Sequence, residues 1–174
     1  KTLNRATDTT RQPGSTFKIL AAYSAALDAG GLTLASVQDD APYTYAGANG
    51  KSVNNYDRRY RGFTTLREAI TDSINIVTVK TLAQAGVSLG WQYVQEYGFT
   101  TVDSRDMNEA LALGGITQGV SNLELTAAYA AIANQGTYIK PKFYTKILDH
   151  DGNVLIDNTT PESHTVIKDT TAWL

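Results

Sequence analysis

The sequence predicts a mainly α-helical fold with one short β-hairpin near its C-terminal end. Two runs place Thr or Ser three residues ahead of Glu and continue with apolar residues, which is the capping-box signature of a helix start. A third run is apolar nearly all round, which is typical of a buried helix. The pair Asp151-Gly152 lies between two short apolar runs and predicts the hairpin.

Length and composition predict one globular domain over residues 1–174. The chain is 42% hydrophobic and 18% charged, which suits a chain that buries a core. Fifteen Lys and Arg stand against 17 Asp and Glu, and this net charge of -2 argues against a nucleic-acid partner or an anionic membrane surface. With no cysteine and only His150 and His164, we expect no metal and no cofactor.

The first helix is predicted in "STFKILAAYSAALDAGG". Apolar residues run from Phe17 to Leu27, and Gly30-Gly31 supplies a stop. This helix is expected near the centre of the core. The polar stretch 35–62 that follows is longer than an ordinary connection, so it is predicted as a functional or mobile loop.

Capping boxes mark two further helix starts. Thr65 and Glu68 open "TLREAITD", and Ser121 and Glu124 precede "LELTAAYAAIANQG". Between these two elements, "IVTVKTLAQAG" predicts a helix that ends at Gly86.

The remaining elements are shorter. Ser88 is predicted to cap a helix that Gly98 stops. After Gly136, the runs "TYIKP", "FYTKILD" and "VLID" are predicted as strands, and the last two form the hairpin. Either Asp169 or Thr170 is expected to cap one more helix at the end of the sequence.

Ser15 and Lys18 form the first candidate pair for chemistry. Residues three apart share a helix face, so hydroxyl and amine can approach hydrogen-bond distance. A serine becomes nucleophilic when a base takes its proton, and apolar surroundings lower a lysine pKa toward the free amine. A helix N-terminus also favours the negative charge that develops on an attacked carbonyl. The alternative, which this pair alone leaves open, is that Ser15 only caps the helix.

Ser73-Ile74-Asn75 forms the second candidate, in a short break between two predicted helices. A hydroxyl and a carboxamide presented to one side suit a proton relay and a clamp for a peptide carbonyl or amide. Here too capping is the structural alternative, because Ser73 or Asn75 is also a suitable residue to start the next helix.

Three long blocks carry a resemblance to a known family. They are "NRATDTTRQPGSTFK", "FTTLREAITDSIN" and "LALGGITQGVSNLELTAAYAAIANQGTYIKP". In this order and at these separations they resemble the transpeptidase domain of class A (bifunctional) penicillin-binding proteins. The similarity extends from about Asn4 to Pro141, and more loosely to the end. The implied fold is the helical part of the α+β transpeptidase fold shared with β-lactamases, with an incomplete central sheet.

The resemblance implies a role for each candidate residue. Ser15 matches the acylated serine, which attacks the penultimate D-Ala carbonyl of a peptidoglycan stem peptide, and its backbone N–H matches half of the oxyanion hole. Lys18 matches the base. Ser73 matches the hydroxyl that relays a proton to the leaving amine, and Asn75 matches the side chain that bonds the substrate amide and supports Lys18. The implied partners are D-Ala-D-Ala stem peptides and β-lactams.

The family's third motif, Lys-Thr/Ser-Gly, is absent from the sequence. The nearest run, Gly50-Lys51-Ser52-Val53, lacks the final glycine. We therefore expect a partial transpeptidase domain, truncated at both ends and inactive or weakly active by itself. The resemblance places the parent protein at the outer face of a bacterial cytoplasmic membrane, anchored by a segment outside this chain.

Two other classes of function stay open. A serine β-lactamase or β-lactam sensor shares Ser-x-x-Lys and a Ser-x-Asn-like element, although Ile74 stands where class A β-lactamases carry Asp. A non-catalytic binding module is the second alternative. The presence of all four candidate residues argues against it.

Overall fold

The computed structural model describes residues 2–46 and 51–174, so Gly50 of the "GKSV" run lies outside the described residues. Short 3₁₀ helices and a π-helix accompany the α-helices. These elements are the 3₁₀ helices Gly14–Thr16, Ser104–Asp106 and Glu109–Leu113, the π-helix Ile19–Tyr23, and α1 (Ser24–Asp28), α2 (Leu66–Thr71), α3 (Asn75–Ala85), α4 (Val87–Glu96), α5 (Asn122–Ala133) and α6 (Asp169–Trp173).

The strands are short and pair two by two in the described part of the chain. They are β1 (Thr10–Arg11), β2 (Val37–Asp40), β3 (Tyr43–Thr44), β4 (Ser52–Val53), β5 (Gly62–Thr65), β6 (Val120–Ser121), β7 (Thr137–Ile139), β8 (Lys146–Leu148), β9 (Val154–Asp157) and β10 (Ser163–Thr165). The antiparallel pairs are β1–β6, β2–β5, β3–β4, β7–β10 and β8–β9. The mainly helical fold with a C-terminal hairpin is thereby confirmed.

The first helix is continuous but changes type along its length. It starts as a 3₁₀ turn behind Pro13, widens into a π-helix directly after Lys18, and ends as α1. The residues of this helix from 17 to 28 are buried or half-buried, as the sequence predicted, and Phe17 and Leu20 are fully buried. π-helical turns inside α-helices are frequent at functional sites, because one extra residue per turn redirects the side chains on either side.

Both predicted capping boxes are present. Thr65 and Glu68 bond reciprocally at the start of α2, and Ser121 and Glu124 do so at the start of α5. The prediction for Ser88 was wrong. Gly86 ends α3 and also precedes α4, so Ser88 lies inside the helix. Gly86 has a left-handed backbone (φ +107°) and forms the turn between the two helices without a serine cap.

Two other local predictions need correction. The expected last helix is present as α6, but neither Asp169 nor Thr170 caps it: its first residue is Asp169, its N-cap residue is Lys168, and no side chain makes a capping bond. The polar stretch 35–62 is partly sheet, since β2 pairs with β5 from Val37 opposite Thr65 to Asp40 opposite Gly62. Polar side chains lie on both faces of these strands, so the sequence lacks the alternation of apolar and polar residues that usually predicts a strand.

A small second core lies under the turn between α2 and α3. It is separate from the main apolar core and is formed by Tyr23, Leu66, Ala69, Ile74 and Val77. Ile74, at 2% exposure, anchors the Ser73-Ile74-Asn75 turn in this cluster. The turn is therefore held against the first helix, which carries Ser15 and Lys18.

The described residues contain neither a membrane-spanning helix nor a cluster of metal-binding side chains. No helix in those parts of the chain has the length and apolar character needed to cross a bilayer. Residues 2–46 and 51–174 also contain no cluster of three or more His, Asp or Glu that could hold a metal ion.

Candidate active site

Ser15 is exposed in the first turn of the first helix. It lies in the 3₁₀ turn Gly14–Thr16, whose N-cap residue is Pro13, and no side chain makes a capping bond there. The capping alternative for Ser15 is thus not observed. Within residues 2–46 and 51–174 the Ser15 hydroxyl makes no hydrogen bond, and its N–H lies in the first turn, where helix N–H groups have no backbone partner.

Lys18 is buried one turn farther along, with 3% of its surface exposed. Its Nζ donates to the Ser73 carbonyl at 2.6 Å and to Asn75 Oδ1 at 2.6 Å, and it lies 2.8 Å from Ser73 Oγ. Three of the four residues singled out in the sequence are therefore in direct contact. No hydrogen bond joins Lys18 to Ser15 in the described structure.

Burial lowers the pKa of Lys18 from its ordinary value of 10.5 to about 8. Moving an ammonium ion out of water disfavours the charged form, and no carboxylate pairs with this one in the described structure. All of its partners are neutral oxygens. The amine can therefore lose its proton near physiological pH, as the apolar neighbours in the sequence predicted.

The turn that carries Ser73 is conformationally unusual. Ser73 has φ +53°, a left-handed conformation that non-glycine residues adopt rarely. This conformation directs the Ser73 carbonyl and hydroxyl to the same Nζ. The following helix has Ile74 as its N-cap residue, with no side-chain capping bond, so neither Ser73 nor Asn75 acts as its cap.

The orientation of the Asn75 carboxamide follows from its two partners. Its Nδ2 donates to the Asn54 carbonyl at 2.7 Å, and this leaves Oδ1 to accept from Lys18. A carbonyl can only accept and an ammonium can only donate, so the amide is held in one sense. Sequence reasoning missed Asn54, because its contribution is a backbone carbonyl that depends on chain folding rather than on residue type.

A loop between the 3₁₀ helix Glu109–Leu113 and α5 holds the Ser15 turn from the other side. The Gln12 side chain bonds both the N–H and the carbonyl of Ile116, the former at 2.9 Å. The backbone of Gly114 lies directly against Gly14, and the Tyr129 hydroxyl donates to the Thr16 carbonyl at 2.5 Å. The position of the Ser15 turn is therefore fixed by contacts to residues about a hundred positions away.

Comparison with known proteins identifies the family of this chain. The family model described as the penicillin-binding protein transpeptidase domain matches residues 1–174. Penicillin-binding protein 1F of Bacillus subtilis (strain 168) is 40% identical over 173 residues, covering 99% of this chain and 23% of the relative. Penicillin-binding protein 1A of Neisseria flavescens is 40% identical over 159 residues, covering 88% of this chain and 19% of the relative. The chain thus spans about a fifth to a quarter of these relatives.

Solved structures show the same fold. The chain superposes on penicillin-binding protein 1A from Haemophilus influenzae with a TM-score of 0.79 and 33% identity, covering 94% of this chain and 24% of that one. For the penicillin G acyl-enzyme complex of penicillin-binding protein A from M. tuberculosis the TM-score is 0.84 at 22% identity, covering 98% and 43%. At this identity the second match shows the fold alone.

The resemblance seen in the sequence is confirmed, since the matching relatives are class A penicillin-binding proteins and the matching structures are transpeptidase domains. The arrangement of short strand pairs without a larger sheet in the described residues fits the helical part of that fold. The chain belongs to the family of penicillin-binding protein transpeptidase domains.

Proposed function

We propose that this chain carries the nucleophile, base and amide clamp of a peptidoglycan D,D-transpeptidase that works through a serine acyl-enzyme. One observation carries the proposal: a buried amine contacts both Ser73 and Asn75 and lies one helical turn beyond the exposed Ser15. Family membership supports an enzyme of the transpeptidase kind. The roles of the individual side chains are those that the resemblance implies, and the contacts of Lys18 support them.

The first step is acylation of Ser15. The neutral amine of Lys18 takes the Ser15 proton, and Oγ attacks the penultimate D-Ala carbonyl carbon. The negative charge that forms on the carbonyl oxygen is stabilised by the Ser15 N–H at the start of the helix. When this intermediate collapses, the C–N bond to the terminal D-Ala breaks, and its amine leaves with the proton.

The contacts of Lys18 support a path by which that proton reaches the leaving amine. The Ser73 carbonyl and Asn75 Oδ1 only accept, so they hold two N–H groups of the lysine. Ser73 Oγ can donate as well as accept, and it occupies the third contact at 2.8 Å. The proton moves from Nζ to Ser73 Oγ, while the Ser73 hydroxyl passes its own proton to the leaving group.

The second step returns the enzyme to its starting state. The amine of a neighbouring stem peptide attacks the Ser15 ester, an amide cross-link forms, and the proton lost by the amine returns to Ser15 Oγ through Lys18. β-Lactams enter the same path as mimics of D-Ala-D-Ala and acylate Ser15. A penicillin G acyl-enzyme is the subject of the M. tuberculosis structure that shares this fold. We place the whole protein at the outer face of the bacterial cytoplasmic membrane, where peptidoglycan is cross-linked.

Mapping of a penicillin adduct tests the proposed nucleophile. The full-length protein that contains this chain is incubated with a fluorescent penicillin, digested with trypsin and analysed by tandem mass spectrometry. Cleavage after Arg11 and Lys18 releases peptide 12–18, and we expect the adduct there, on Ser15 rather than Thr16. An adduct on any other residue would contradict the proposal.

The lifetime of the penicillin adduct distinguishes a transpeptidase from a serine β-lactamase. A transpeptidase releases penicillin slowly, whereas a β-lactamase hydrolyses the ester rapidly and returns free enzyme. We expect the labelled fraction to persist after excess penicillin is removed. Prompt loss of label with turnover of the antibiotic would favour the β-lactamase alternative.

Gly114→Ala is expected to slow acylation about 100-fold, because a displacement of about 1 Å at a reacting group costs that much. A Cβ at Gly114 would lie 2.6 Å from the Gly14 carbonyl oxygen and 2.7 Å from the Gly14 nitrogen, so the two backbones have to move apart, and we expect this to displace the Ser15 turn. Acylation is followed by stopped-flow or gel fluorescence with the labelled penicillin.

Gly152→Ala is the matched control for this substitution. Gly152 also has a left-handed backbone (φ +84°), but a Cβ there meets nothing within 4 Å. It therefore reproduces the conformational strain in the distant hairpin without the clash. Equal acylation rates for the two variants would show that the contact between Gly114 and Gly14 does not position Ser15.

A further inference from the structure

A buried polar cluster lies behind the Ser73-Ile74-Asn75 turn and takes no part in the steps above. Asp40, the last residue of β2, is 0% exposed, and Asn55 is 4% exposed. Asn55 Nδ2 donates to both Asp40 oxygens, at 2.8 and 2.9 Å, and to the Arg59 carbonyl at 2.8 Å. The Arg61 N–H also donates to Asp40, at 2.9 Å.

These bonds leave Asn55 Oδ1 directed at the start of α3. Oδ1 accepts from the Ile76 N–H at 3.2 Å, which is one of the first-turn groups that a helix cannot satisfy by itself. Ile74 supplies no side-chain cap. Asn55 therefore caps α3 from a segment 21 residues upstream.

The neighbouring residue holds the Asn75 side chain. The Asn54 carbonyl accepts from Asn75 Nδ2 at 2.7 Å, so the dipeptide Asn54-Asn55 bonds the first residue of α3 through its backbone and the second through a side chain. Because the two residues are adjacent, a shift of Asn55 moves the Asn54 carbonyl as well.

Burial of a carboxylate and a carboxamide is unfavourable unless every polar atom finds a partner. Here the described structure satisfies them, and no buried side-chain polar atom in it lacks a hydrogen bond. A fully bonded network of this kind fixes one arrangement of its members more strictly than apolar packing does. The arrangement fixed here is the one that presents Asn75 Oδ1 to Lys18.

We propose that Asp40 and Asn55 are positioning residues for the Asn75 carboxamide: Asp40 orients the Asn55 amide, and Asn55 fixes the Asn54 carbonyl that holds Asn75 toward Lys18. The inference rests on the proposed function, because it assigns Asn75 the task of orienting Lys18 and the substrate amide. Neither Asp40 nor Asn55 touches the reacting atoms in this assignment.

A double-mutant cycle tests the connection in the full-length protein. The second-order rate constant of acylation by the fluorescent penicillin is measured for wild type, Asn55→Ala, Asn75→Ala and the double variant. We expect Asn55→Ala to lower it about tenfold through misplacement of Asn75. We expect the double variant to be no slower than Asn75→Ala, because Asn55 acts through Asn75. If the two effects multiply instead, Asn55 acts by another route and the inference is wrong.

Two further variants separate positioning from general stability. Asp40→Asn keeps an acceptor for Asn55 and is expected to stay within about threefold of wild type, whereas Asp40→Leu is expected to match Asn55→Ala. Ser24→Ala, in α1, removes a buried hydrogen bond to Tyr97 outside the cluster of Asp40 and Asn55, and is expected to lower the melting temperature without slowing acylation. An Asn55→Ala protein that acylates like Ser24→Ala contradicts the inference alone. A wild type that is not acylated overturns the proposed function as well.

Discussion

Substitution of Ser15 by alanine is expected to abolish covalent labelling by penicillin. The change removes one exposed hydroxyl that makes no hydrogen bond in the described structure, so we expect the fold to be unchanged. The proposed nucleophilic oxygen is thereby removed. Gel fluorescence of the full-length protein after incubation with labelled penicillin measures the loss, and circular dichroism verifies that the fold is kept.

Thr16→Ala is the matched control, since it removes a hydroxyl from the next residue of the same turn. Thr16 Oγ1 donates to the Pro13 carbonyl at 2.7 Å, so this hydroxyl is bonded within the turn. We expect Thr16→Ala to label within a few-fold of wild type. Undiminished labelling of Ser15→Ala, or loss of labelling only in Thr16→Ala, would reject Ser15 as the nucleophile.

The elements that the sequence predicted well depend on local signals. Thr65 with Glu68, and Ser121 with Glu124, specify helix starts within four residues, and both capping boxes formed. Asp151-Gly152 specifies the hairpin of β8 and β9 in the same local way. These features are determined by interactions between residues that are close in sequence.

The features that the sequence did not predict depend on distant contacts. The pairing of β2 with β5 joins segments more than twenty residues apart and uses polar side chains on both faces. Ser73 has a left-handed backbone, and its carbonyl accepts from a lysine 55 positions away. Asn54 and Asn55 lie in a stretch whose composition indicated only a polar loop, and their task becomes visible once Asn75 and Ile76 are beside them.

The four candidate residues illustrate both cases. Their identities and spacing were sufficient to select them, because Ser-x-x-Lys followed by Ser-x-Asn matches a family pattern. Their contacts were not predictable in detail. The sequence suggested a Ser15–Lys18 bond, whereas the lysine bonds Ser73 and Asn75 instead. Within the described residues the exposed Ser15 hydroxyl makes no hydrogen bond, which suits its proposed role as nucleophile.

Lys18→Met is expected to lower the acylation rate about 1,000-fold, within the range that general-base catalysis contributes. Methionine has nearly the same length but neither accepts nor carries a proton. It also leaves the Ser73 carbonyl and Asn75 Oδ1 without their donor, so Lys18→Arg is needed beside it. Arginine keeps the charge and the donors but remains protonated at any accessible pH. If Lys18 is the base, both variants are slow; if only its charge matters, Lys18→Arg acylates like wild type.

The pH profile of acylation gives an independent test of the same role. Burial lowers the pKa of Lys18 from 10.5 to about 8, so at pH 7 roughly a tenth of the molecules hold the free amine, against roughly one in 3,000 for an ordinary lysine. Because the free amine is the active form, the acylation rate is expected to rise with pH and level off above about 8. Lys140→Met, which makes the same change at an exposed residue paired with Glu162, should keep this profile. A wild-type rate that is flat between pH 6 and 9 would mean that another group takes the Ser15 proton.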